Sequence, residues 1–121
     1  LFVPMGFLAA GLGHWLDRPG LLLASTHLWT VGAIGLMTLA VMTRATRGHT
    51  GRALHAPPET AAAYLALAAA AIFRAAAALL PEASPILVPT AGLLWLLAFA
   101  IFLAAYAPML LAPRVPAGSP A

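Results

Sequence analysis

Four apolar runs, each near the length of a membrane span, constrain this chain more than any other feature. They cover residues 1–16, 25–43, 60–80 and 86–111. A hydrocarbon core about 30 Å thick is crossed by about 20 apolar residues in a helix. In lipid every backbone N–H and C=O needs an internal partner, and runs this long supply it as helices. The expected fold is therefore all-α: a polytopic transmembrane bundle, residues 1–112, with four membrane-spanning helices. Composition agrees, because 7% of the residues are charged, against about 25% in a soluble domain. The stretches "LDRPG" (Leu16–Gly20) and "PEASP" (Pro81–Pro85) read as tight turns. "RATRGHTGRALHAPPE" (Arg44–Glu59) reads as the one long polar loop, and residues 113–121 read as a disordered Pro/Gly-rich tail. Apolar sequence starts at Leu1 with no basic segment or cleavage signature before it. The chain is thus expected to be a fragment of a larger protein.

Arginine placement predicts orientation. Arg44, Arg47, Arg52 and Arg114 fall on one side of the spans, and Arg18 falls on the other with Asp17 and Glu82. The positive-inside rule puts the loop 44–58 and the C-terminus in the cytoplasm. There is no lysine and the six arginines are scattered, so the net charge of +3 is no nucleic-acid stripe. The absence of cysteine excludes disulfides, thiolate catalysis and Cys-ligated metal from this chain.

Ionisable side chains inside the spans carry the functional expectation, since each costs roughly 2.5–3.5 kcal/mol to insert. His14, His27 and Arg74 stand out. His14 follows Gly6 and Ala10 at i−4 steps, a small-residue stripe that should pack on another helix. His27 shares an α-helical face with Thr30, Val31, Ile34 and Thr38. The two histidines bracket a hairpin and suit one metal or one haem iron. The competing reading satisfies each locally, at a helix end. Arg74 follows Ala63, Leu67 and Ala70 on an alanine-rich face. Its guanidinium stays charged and needs an anion: a haem propionate, an anionic substrate or a carboxylate on another helix, unless it snorkels to Glu82. Met37 and Met42 are possible soft copper ligands, though methionine is more often filler. Tyr64 and Tyr106 read as interfacial anchors, as do Trp15 and Trp29. The carboxylates Asp17, Glu59 and Glu82 lie at helix ends and are not paired for acid–base work.

The stretch "HLWTVGAIGLMTLAVMTRATRGHTGR", His27 to Arg52, closely resembles the signature of the NnrS family. The resemblance covers about a quarter of the chain directly. It implies a bacterial inner-membrane protein with about twelve transmembrane helices, of which these would be the last four. It further implies a haem, of b type, with copper, and protection of the cell from nitric oxide and nitrosative stress. The remaining helices of the full-length protein would then be partners, along with the lipid bilayer. Within the motif the positions carried over are His27, Arg44, His49, Thr50, Gly51 and Arg52. His14 and Arg74 lie outside it and rest on the physical argument alone. Two other functions stay open: a transporter or ion path using Arg74, which requires discontinuous helices, and a purely structural bundle.

Overall fold

A computed structural model describes residues 1–114; the tail expected over 113–121 lies almost wholly outside them. The described residues form four helices: α1 (Phe2–Trp15), α2 (Pro19–His49), α3 (Pro58–Leu79) and α4 (Ser84–Leu111). A single 3-10 turn, Pro81–Ala83, leads into α4. No strand occurs among the described residues, so the chain is all-α. Three helical stretches are long and apolar enough to cross a membrane: Pro19–His49, Pro58–Leu79 and Pro81–Leu111. With 14 residues, α1 rises only about 21 Å at 1.5 Å per residue, less than the hydrocarbon thickness.

The second helix departs most from expectation. Instead of residues 25–43 it covers 31 residues, Pro19–His49. Pro19 occupies the first helical position, where its missing N–H costs nothing and its fixed φ starts the helix. The other end runs on through "RATRGH", against the expectation of a loop. Arginine is a good helix former, and cations suit a C-terminal turn.

A backbone motif also closes the C-terminal end of α1. The Arg18 N–H donates to the Gly13 carbonyl at 2.9 Å, and Asp17 adopts φ 51. This is a Schellman closure with Asp in the left-handed position that glycine usually fills.

Within α2, residues Leu28–Ile34 form a π-helical segment. The Gly35 N–H reaches back to the Thr30 carbonyl, five residues earlier. The wider turn rotates the following side chains relative to a 3.6-residue period. The face expected to run from His27 through Ile34 and Thr38 is therefore broken: Ile34 and Thr38 are exposed.

Helices α1 and α2 are antiparallel and interlock through glycines. Phe2 packs on Gly32, and the Trp29 ring packs on Gly6 while its Nε1–H donates to the Val3 carbonyl at 3.4 Å. Trp29 is thus a packing wedge, whereas Trp15 is exposed. Leu22 similarly closes over Gly13. Two cores result. Phe2, Ala24 and Leu28 meet Ala71 and Ala75 of α3. Leu39, Leu67, Ala98, Phe102 and Tyr106 join α2, α3 and α4.

Candidate functional site

The two ends of α2 carry different chemistry. His27 is the ninth residue of the helix, about 12 Å from its start at 1.5 Å per residue, and the π-helical segment begins immediately after it. The reading as a helix-end histidine therefore does not hold. Its neighbours one turn back and one residue on, Ala24 and Leu28, are buried against Ala71 and Ala75. These flank Arg74 in the same way, so His27 and Arg74 lie at one level of the α2–α3 pair.

The His27 Nε2 atom is buried and has no hydrogen-bond partner among the described residues. Buried polar atoms in folded proteins are nearly always paired, so an orphan calls for a missing partner. Arg74 is half-buried on the inward face that continues from Ala63, Leu67 and Ala70, and it has no ion pair among the described residues. An apolar groove of about 360 Å³ adjoins this level, lined by Met5, Leu12, Leu28, Ile72 and Leu79.

His14 is not part of this group. It is exposed, and the stripe of α1 that packs is Phe2, Gly6, Ala9 and Gly13. That set follows i, i+4, i+7 spacing, and Gly13 admits Leu22 where a side chain would block it. The expectation that His14 faces protein is corrected accordingly for the described residues. Of the methionines, Met42 packs on the core as filler and Met37 is exposed.

At the other end, "GHTGR" is a helix stop. The Arg52 N–H donates to the Arg47 carbonyl at 2.9 Å, and the Gly51 N–H donates to the Gly48 carbonyl at 3.2 Å. Gly51 adopts φ 75. These bonds are the two of a Schellman motif, with Gly51 in the left-handed position. The Thr50 hydroxyl donates back to the Thr46 carbonyl at 2.7 Å. Arg52 Nη1 donates to the Met109 carbonyl at 3.5 Å, tying the stop to α4. His49 and Arg44 are exposed.

The turn places a residue not singled out from the sequence. Arg47 is 7% exposed. Its Nε donates to the Ala53 carbonyl at 2.6 Å and its Nη2 to His55 Nδ1 at 3.1 Å. Arg47 lines a surface pocket together with Arg44, His55, Thr43, Thr60 and Tyr64. Two hydroxyl pairs stiffen the helices around it: Thr43 with Tyr64 at 3.1 Å, and Thr60 with Tyr106 at 2.5 Å. Tyr106 is 1% exposed, so it is a core residue and not an interfacial anchor. A signal for these pairs did exist, in hydroxyls spaced along otherwise apolar helices.

Among the described residues no three His, Asp or Glu side chains converge as a metal site. Compared with known proteins, a family model described as NnrS protein matches residues 1–114. No curated protein and no solved structure matches the chain.

Proposed function

The chain belongs to the NnrS family, and from that premise we propose that this integral membrane protein is haem- and copper-associated and protects the cell against nitric oxide and nitrosative stress. The buried, unpartnered Nε2 of His27 carries the reading. Imidazole nitrogen is a common axial ligand of haem iron, and a free Nε2 in an apolar helix pair is a fitting donor. The π-helical segment directly after His27 supports it, since such segments recur at functional sites. Arg74, at the same level and without an ion pair, would suit a propionate. Bound there, a haem would supply an iron able to take nitric oxide. The protein's own contribution is to hold that nitrogen away from water, with Ala24, Leu28, Ala71 and Ala75 packed beside it. His14, exposed as it is, is the second histidine nominated for haem or metal. For copper, no group of three His, Asp or Glu side chains converges among the described residues.

We further propose a bacterial inner-membrane location with the 44–58 connection and the C-terminus on the cytoplasmic face. Arg44, Arg47, Arg52 and Arg114 at that end against Arg18 at the other support this orientation.

The test is the visible spectrum, oxidised and reduced, of the full-length protein in detergent beside His27→Ala, His14→Ala and Arg74→Leu. Loss of the Soret and α bands in His27→Ala at unchanged expression is the expected result. Arg74→Leu should keep the bands but release haem faster. Wild-type spectra and haem retention in all three variants would overturn the assignment.

A further inference from the structure

The pocket at the C-terminal end of α2 is cationic, and no acidic residue lines it. Arg47 is its fixed centre, more than nine-tenths buried, with Nε and Nη2 held by Ala53 and His55. Neither partner is a carboxylate, and Arg47 has no ion pair among the described residues. A guanidinium does not escape by losing its proton, and a buried charge without a counter-ion is strongly unfavourable. Glu59 lines a neighbouring pocket with Arg47 but forms no ion pair with it. Arg44, one turn earlier on the same helix face, lines the cationic pocket beside Arg47. Thr60, the third residue of α3, lines it too, which brings the partial positive charge of that helix start to the pocket.

We infer that this cavity, of about 250 Å³, binds a phosphate group. Arg44 and Arg47 supply forked N–H donors suited to phosphate oxygens. His55 adds a ring N–H from another direction, while the Thr43 and Tyr64 hydroxyls, bonded to the Ala40 carbonyl and to each other, hold the wall of the pocket in place. The phosphate has two sources: a lipid headgroup, since the pocket lies at the arginine-rich end of a spanning helix, or free phosphate in solution. None of these residues belongs to the His27 level, so the inference stands apart from the haem reading.

The experiment uses the full-length protein in non-ionic detergent, with chloride at matched ionic strength as the control. Thermal unfolding is followed while inorganic phosphate is titrated. In a parallel arm dioctanoyl phosphatidylglycerol is titrated against dioctanoylglycerol, which lacks phosphate. Arg44→Gln and His55→Gln are the test variants, because both side chains are exposed and cap no backbone. A saturable rise in midpoint is expected, with half-saturation weakened about tenfold or more in each variant. A response to inorganic phosphate identifies the free anion, and a response to phosphatidylglycerol alone identifies the headgroup. No saturable rise in either arm, or variants that titrate like the wild type, would overturn the inference.

Discussion

Tyr106 shows what a single polar atom does in this bundle. Its ring stacks on Phe102 at 5.0 Å within the core, and its hydroxyl pairs with Thr60 from another helix. Removing one partner leaves the other buried and unsatisfied, which costs about 1–3 kcal/mol. Tyr106→Phe should therefore destabilise the protein by that order, measured by reversible unfolding in mixed micelles. Adding Thr60→Val should cost less than the sum of the two single changes, since each removes the same bond. His27 is the opposite case: its Nε2 has no partner to lose. His27→Ala should remove the haem bands while leaving the unfolding midpoint of the haem-free protein nearly unchanged, a pair of readouts that a merely structural histidine would not give. His27 and Arg74 were legible in the sequence because an ionisable residue in apolar text stands out. Arg47 was not, because it sat among arginines that topology alone explains.

At the scale of elements, the end of α2 rests on one backbone conformation. Gly51 has φ 75, a region that costs a residue with a Cβ roughly 1–2 kcal/mol. Gly51→Ala should lower stability by about 1 kcal/mol and loosen the connection that holds Arg47 and His55. Gly48, three residues earlier, lies inside the helix with open space where a Cβ would stand. Gly48→Ala should instead stabilise by about 0.5–1 kcal/mol. The two glycines of one short motif thus give opposite signs, and unfolding midpoints of the two variants check both. Sequence periodicity found the helices but misplaced the limits of α2. It credited Pro19 as a turn and the arginines as loop, whereas the first starts the helix and the others end it.

At the scale of the whole molecule, arginine placement predicts which end of the bundle faces the cytoplasm. The chain has no cysteine, so one introduced thiol in it reports its own side. In a full-length protein otherwise freed of reactive thiols, Arg18→Cys should react with a membrane-impermeant maleimide in spheroplasts. Ala53→Cys, also exposed, should react only after permeabilisation. The reverse pattern would sink the orientation and move the phosphate pocket to the other face.

What the sequence determined by itself was the class of structure and the identity of its costly residues. Apolar length forces helices in lipid, and burying His27 or Arg74 requires a partner wherever the helices go. What only the tertiary structure decided was which side chains meet. The π-helical segment turns the rest of α2 away from its 3.6-residue face. Gly6 and Gly32 set how closely α1 approaches α2. The Schellman turn at Gly51 folds His55 back onto Arg47. Each is a cooperative property of backbone geometry, and hydrophobic pattern, which records only the tendency of one residue to be buried, does not encode it.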